Sequence, residues 1–194
     1  MIDSLVSVLE KIDQFYEELI FQKFGLRKNQ FVLVTLHRPS NVDDKIILWQ
    51  IMNFLNTLSL RIPAIFPVHP RTRKNINGFD PKFIPNEAFK IIEPLRYKEF
   101  ITLEKYSKFV LTDSGGIQEE STYLKVPCLT LRANSERPIT IIMGTNELVT
   151  IDTIEDRIES ILSGSWKQGE IPPLWDGKTG QRIIAIFKNG SFRK

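Results

Sequence analysis

The densest run of chemically capable residues is Thr112-Asp-Ser-Gly-Gly-Ile-Gln-Glu-Glu120. Two adjacent glycines between an apolar run and a helical pattern let the backbone approach a ligand closely. The free N–H groups at the start of that helix favour an anion such as a phosphate. Ser-Gly-Gly also makes an ordinary tight turn, so the turn alone does not define a site. Glu120 adds a second signal. On a helix starting near Gly116, Ile117, Glu120, Ser121 and Leu124 share one face at the 3.6-residue period. With Ile117 and Leu124 toward a sheet, the carboxylate between them is either partly buried or aimed into a crevice, and it needs a partner. Ribose hydroxyls beside a bound diphosphate would satisfy it, and so would an ion pair with a nearby arginine or lysine. Glu119, out of phase, is expected to face solvent.

The two histidines stand in matching contexts, His37 in His-Arg-Pro and His69 in His-Pro-Arg, each at the end of an apolar run. A lone loop histidine is ordinarily structural, but two such residues beside arginines describe an anion-facing rim, because imidazole donates to phosphate. Arg132, just past another apolar run, either joins that rim or is a solvated loop arginine. Arg71 to Lys74 reads as a solvated helix face. Other chemistries are excluded. Two histidines without acidic partners at ligand spacing do not make a zinc site, and no Gly-x-x-x-x-Gly-Lys-Ser/Thr run marks a P-loop. The single Cys128, set among Val126, Leu129 and Leu131, reads as a buried small hydrophobe and allows no internal disulfide.

These residues must be held by an alternation of strands and helices. Ile2 to Phe24 reads as one amphipathic helix stopped by Gly25. Strands follow at Phe31–Leu36, Ala64–Val68, Phe89–Ile92, Phe109–Thr112, Pro127–Leu131 and Glu147–Thr150, with Pro67 weakening the second. Helical patterns lie between them at Lys45–Leu58, Arg71–Asn77, Lys98–Tyr106 and Gly116–Leu124, and then at Thr153–Leu162 and Thr179–Phe187. Trp49 and Phe54 are core candidates. Gly164 to Gly177, rich in Gly and Pro, reads as a surface excursion. The pattern predicts an α/β fold, a Rossmann-like parallel sheet with helices on both faces. In the strand order 3-2-1-4-5-6 the loops beginning at His37 and Asp113 meet where the order reverses, which is where such sheets bind ligands. The 194 residues carry a net charge of +3 without a basic stripe, so nucleic acid is not an expected partner. No apolar run of about 18 residues marks a membrane helix. Asp3, Glu10 and Asp13 argue against a targeting peptide, and the expected setting is the cytoplasm.

Several of these motifs together resemble one family. His37-Arg-Pro-Ser-Asn41, Phe66-Pro-Val-His-Pro-Arg71, Glu93-Pro-Leu-x-Tyr97, Asp113-Ser-Gly-Gly-Ile-Gln-Glu-Glu120, Leu131-Arg-x-x-x-Glu-Arg-Pro138 and Pro172-Pro-Leu-Trp-Asp-Gly177 are similar to the non-hydrolysing UDP-N-acetylglucosamine 2-epimerases. The resemblance implies the C-terminal domain of a glycosyltransferase-B-type fold, working without metal or nicotinamide, in a family of cytoplasmic homodimers. It implies that Ser114, Gly115 and Gly116 hold the diphosphate and Glu120 the ribose. Arg132 would contact UDP, Leu95 and Phe100 would lie beside the uracil, His37 would be an active-site histidine near the phosphates and His69 a second one on the rim. Ser40 departs from the family, where glutamate is frequent.

The family's N-terminal domain, which supplies the proton-transfer carboxylates, has no counterpart in this sequence. Met1-Ile-Asp-Ser-Leu5 resembles the interdomain linker, so residues 1–24 are expected to be a linker-derived helix and 25–194 the UDP-binding domain. The expected ligand is UDP or a UDP-N-acetylhexosamine, with a separate N-terminal half as a candidate partner and no cofactor. A stand-alone UDP-sugar binding module and the donor domain of a glycosyltransferase are the alternatives.

Overall fold

A computed structural model describes residues 1–79 and 81–188. Its centre is a six-stranded parallel sheet, β1 Val32–Thr35, β2 Ala64–Pro67, β3 Phe89–Ile92, β4 Phe109–Thr112, β5 Cys128–Leu131 and β6 Asn146–Val149, in the order β3-β2-β1-β4-β5-β6. This is the common order under which the sequence places the loops beginning at His37 and Asp113 side by side. Its helices are α1 Ile2–Leu9, α2 Gln14–Phe24, α3 Pro39–Val42, α4 Lys45–Leu58, α5 Pro70–Asn77, α6 Tyr97–Lys105, α7 Gly115–Leu124, α8 Pro138–Ile142, α9 Ile154–Leu162 and α10 Thr179–Lys188.

Period-two alternation within the strands divides the core into two layers. Val32, Val34, Ala64, Phe66, Leu111 and Leu129 pack with Leu48, Ile51 and Leu55 of α4 and Ile154, Ile158 and Ile161 of α9. Leu33, Ile65 and Val110 pack on the opposite face with Ile20 and Phe21 of α2 and Leu103 of α6. Trp49 and Phe54 are half-buried at the margin of the first layer, where Trp49 meets Phe79 and Phe83 edge to face. Pro67 is tolerated because it closes β2, after pairing with β1 has ended at Ile65.

The N-terminal stretch forms two helices where the sequence predicts one. The Asp13 side chain accepts from Tyr16 N and starts α2, so the chain turns between Leu9 and Gln14 although apolar spacing runs through Ile12. Gly25, in the left-handed region at φ 58°, ends α2 as expected. Arg71 to Lys74 is less solvated than its composition suggests: Thr72 is fully buried, Arg71 pairs with Asp43 and Arg73 with Glu93.

Candidate functional site

The register of β1 on β4 pairs Thr35 with Thr112, so the loops that follow leave the sheet side by side. Asp113 ties them together. Its fully buried carboxylate accepts from the backbone N–H of His37, at 3.0 and 3.1 Å, from that of Arg38 at 2.8 Å and from Asn41 Nδ2 at 3.0 Å. His37 Nδ1 lies 2.9 Å from Asp113 Oδ1. Burial pushes Asp113 upward, but the donors from His37, Arg38 and Asn41 outweigh it and hold the group below the usual carboxylate range. An ionised carboxylate only accepts, so His37 carries a proton on Nδ1, and its Nε2 donates to an anion only as the imidazolium. Asn41 also donates to Leu131 O, which joins the loop after β1 to the end of β5.

The loop after β4 passes directly into α7. Ser114 occupies the N-cap position, yet its side chain makes no capping bond, which leaves its hydroxyl and the first N–H groups of the helix open. Space above this turn is limited at Gly116, by the end of the Met1 side chain, while Gly115 has room for ordinary contact. A Cβ on Gly116 would lie 2.9 Å from Met1 Cε, and one on Gly115 3.8 Å from Glu136 Oε2. Glu120 is 5% exposed and accepts from Tyr97 Oη at 2.6 Å. Burial raises its carboxyl while the Tyr97 bond pulls the other way, and the net direction is upward. Burial first, and then Glu120, raise the Tyr97 phenol in turn.

One cavity of about 290 Å³ gathers these groups. It is lined by His37, His69, Leu95, Phe100, Ser114 and Glu120, together with Thr35, Leu36, Pro67, Pro94, Tyr97 and Ile117. It therefore has an apolar wall, a helix start, two imidazoles and a carboxylate, all at the switch between β1 and β4. Apolar surface can take a flat base, the helix start an anion and Glu120 a pair of hydroxyls.

Comparison with known proteins identifies the family. The description of UDP-N-acetylglucosamine 2-epimerases matches residues 1–188. The chain belongs to that family. It is 38% identical over 192 residues to the UDP-N-acetylglucosamine 2-epimerase of Methanocaldococcus jannaschii, covering 94% of this chain and 50% of that protein. A UDP-N-acetylglucosamine 2-epimerase homolog of Methanococcus maripaludis is 40% identical over 196 residues, with coverages of 97% and 53%. The crystal structure of the M. jannaschii enzyme in complex with UDP-GlcNAc and UDP superposes with a TM-score of 0.79 at 37% identity, covering 97% of this chain and 53% of that one. The Neisseria meningitidis enzyme bound to UDP-GlcNAc gives a TM-score of 0.81 at 28% identity, with the same coverages. The chain spans about half the length of the relatives it matches.

Within this epimerase-family chain the sequence-derived candidates do not all share one environment. His37, His69, Leu95, Phe100, Ser114 and Glu120 line the cavity, while Gly115 and Gly116 begin the helix at its edge. His69 has a second task, because its Nδ1 accepts from Arg71 N at 3.3 Å and caps α5; its proton therefore sits on Nε2. Arg132 is not an open rim cation. Both of its terminal nitrogens bond Glu136, each at 2.7 Å, and it holds that exposed carboxylate at about 2. An i,i+4 carboxylate in a short loop reaches the guanidinium before any ligand does, so an anion would have to displace Glu136. Glu119 is not solvated either, since it pairs with Arg137 at 2.6 Å.

Glu120 finds a tyrosine as its partner, rather than an arginine or lysine. Asp113, Asn41 and Tyr97 stand in the motifs but show no role there, because each acts across at least 23 residues of sequence. The Arg38 Nε is buried without a hydrogen-bond partner and acts electrostatically on Glu136, a second cation at this edge. Among the described residues there is no cluster suited to a metal ion and no helix long and apolar enough to cross a membrane.

Proposed function

We propose that this chain is the UDP-binding half of a non-hydrolysing UDP-N-acetylglucosamine 2-epimerase, corresponding to its C-terminal domain, and that the cavity holds the nucleotide end of the substrate. The single observation that carries the reading is the convergence of Ser114, Glu120, His37 and the Leu95–Phe100 wall on one cavity at the strand-order switch. Uracil fits the apolar wall. The ribose diol donates to Glu120, and the diphosphate meets the Ser114–Gly116 helix start, with His37 and His69 on its flank.

In the reaction assigned to the family, a base removes the proton at C2 of the sugar as the bond from C1 to the UDP oxygen breaks, leaving a glycal and UDP. Return of a proton to the other face of C2, with re-addition of UDP at C1, gives UDP-N-acetylmannosamine. This half serves the leaving group. Donors already aimed at the diphosphate stabilise the charge it gains as it departs. The sugar-side acid and base are assigned to the part of the relatives that this chain does not span. The intact enzyme is expected to be a cytoplasmic homodimer without metal or nicotinamide.

Calorimetry with UDP, UMP and uridine tests the reading. UDP is expected to bind most tightly, each charge-assisted phosphate contact contributing about 1.5–3 kcal/mol. Equal affinity for the three ligands would remove the phosphate cradle from the site.

A further inference from the structure

Beneath the crevice lies a carboxyl that the nucleotide contacts leave unused. Glu104, on α6, is completely buried, and neither of its carboxyl oxygens has a hydrogen-bond partner. A charged carboxylate placed there without donor or cation would be very costly. Tyr97, Ile101 and Glu104 follow one another along one face of the helix at i, i+4 and i+7. Among the described residues, the elements packed on α6 supply no cation to it. From α1 the contacts are the apolar Ile2 and Leu5, and the Met1 amine acts on Glu120. From α2, Glu17 is engaged by Lys28, Lys105 and Tyr106. From α7 come Glu120 and, outside it, Glu119 with its partner Arg137. The Cys128 thiol of β5 is near enough to feel the Glu104 charge. On α6 itself Lys98 lies over Tyr16, and Glu99 pairs with Lys23.

What Glu104 does feel is a second carboxyl. Burial first, and then repulsion from Glu120, raise it well above the usual carboxylate range. Two buried carboxyls acting on each other do not readily both ionise at neutral pH, and the Met1 amine favours the charge on Glu120. Their surroundings decide which one keeps the proton. Glu120 has the Tyr97 hydroxyl as a donor and opens on the cavity, whereas Glu104 has neither.

We propose that Glu104 is a positioning residue that keeps the proton of a Glu104–Glu120 pair, leaving Glu120 as the anionic acceptor for the hydroxyls of a ligand in the crevice. The ligand part of this inference rests on the nucleotide reading above, and the location of the proton does not. Closing a ligand over Glu120 removes water from the pair, so the bound state disfavours a second negative charge more than the free state does. Binding in the pH range where Glu104 ionises is then accompanied by proton uptake, and affinity falls toward alkaline pH. On the acid side affinity falls for a different reason, because Glu120 itself gains a proton and ceases to be a pure acceptor.

Glu104→Gln keeps the shape and removes the titration. Infrared spectra at neutral pH are expected to show the carbonyl stretch of a protonated carboxyl in the native chain and in Glu119→Gln, but to lose it in Glu104→Gln. Calorimetry with UDP-N-acetylglucosamine, whose diphosphate is a diester with no proton to lose near neutrality, reads the second half across buffers of different ionisation enthalpy. The native chain should take up as much as one proton and lose affinity by up to about tenfold per pH unit on the alkaline limb. Glu104→Gln and the apolar Glu104→Met should show no alkaline limb, an unchanged acid limb and neutral-pH affinity within about twofold of the native value, since each leaves a neutral group in that place.

A carboxyl band insensitive to Glu104→Gln would overturn the placement of the proton. Identical alkaline limbs in the native chain and both variants would overturn the positioning role. Absence of nucleotide-sugar binding in every protein would sink the nucleotide reading and the positioning role with it, while the infrared band still decides where the proton sits. If neither variant folds, the native chain alone decides: no band and no proton uptake would refute the proposal.

Discussion

Asp113 sets the geometry of the crevice at the scale of single residues, although it makes no contact with the ligand in the proposed pose. Its carboxylate collects the loop after β1 through two backbone N–H groups and an asparagine amide, and it fixes the tautomer of His37. Replacing it by asparagine removes the charge from those bonds and is expected to destabilise the chain by roughly 1.5–3 kcal/mol near neutral pH. The pH dependence has a definite sign. The folded carboxyl is depressed below its unfolded value of about 3.9, so its contribution is complete above that value and is lost as pH falls through the folded one. Urea unfolding of Asp113→Asn across acidic pH should therefore lack part of the acid limb seen in the native chain; superimposable limbs would show that the charge is not what holds the loop.

Glu120 and Glu119 offer a sharper comparison, since they are adjacent in sequence and differ in partner. Glu120→Gln is expected to weaken UDP by roughly 1.5–3 kcal/mol, through loss of a charged acceptor, and Glu119→Gln to affect mainly the Arg137 contact. Comparable losses in the two folded variants would put Glu120 outside the site. The helical phase of Glu120 could be read from the sequence because it needs only the 3.6-residue period. Its tyrosine partner could not, because Tyr97 belongs to another helix and nothing local encodes their meeting.

The parallel sheet with helices on both faces was legible at the scale of elements for a physical reason, while its order had to be supposed. Parallel strands buried on both faces are short continuous apolar runs, and short connections leave few ways to order them. Boundaries and packing contacts were less so. Asp13 ends one helical pattern and caps the next within an unbroken apolar spacing, and only the hydrogen bond to Tyr16 N distinguishes the break from a continuous helix. Gly144 is a further element-level determinant that composition does not reveal. It joins α8 to β6, and a Cβ there would lie 2.5 Å from the Thr140 carbonyl oxygen and 2.6 Å from Thr122 Cγ2 on α7, closer still to the Thr122 hydroxyl. The segment from Arg132 to Arg137 runs into α8, so this close approach also sets where its charges sit relative to the helix start. Gly144→Ala is expected to cost about 1–3 kcal/mol through overpacking. Gly164→Ala, whose Cβ meets nothing within 4 Å but whose φ is +79°, should cost only about 1–2 kcal/mol, the penalty of the left-handed region. Thermal unfolding compares the two, and a neutral Gly144→Ala would show that α7 and α8 are not locked together as described.

At the scale of the whole molecule, this chain has, in the proposed reading, the contacts to a leaving group, and the carbon acid chemistry falls to the part of the relatives that it does not span. Epimerisation at C2 needs one group to take a proton from carbon and another to return it on the opposite face. Among the described residues lining the cavity, the carboxyls reduce to Glu120, which is bound to Tyr97 and assigned to the ribose. The chain spans half the length of its relatives, and α10 leaves Ile183, Ile184 and Ile186 about half exposed, an apolar face of the kind that marks a docking surface. A polypeptide of these 194 residues is therefore expected to bind UDP but not to exchange the C2 hydrogen of UDP-N-acetylglucosamine. General acid and base groups typically contribute about 10²–10⁴-fold each, so without them exchange should stay near background. NMR detection of deuterium at C2 in heavy water measures this, alone and with the complementary half of a relative supplied in trans. Activity should appear with the added half, and Ile184→Glu should suppress that recovery while leaving UDP affinity unchanged, because the substitution lies on α10 and not in the cavity. Robust exchange by the polypeptide alone would overturn the half-enzyme reading, since this domain would then have to contain its own base. Binding without recovered activity, for any complementary half that demonstrably docks, would favour the stand-alone nucleotide-sugar module instead.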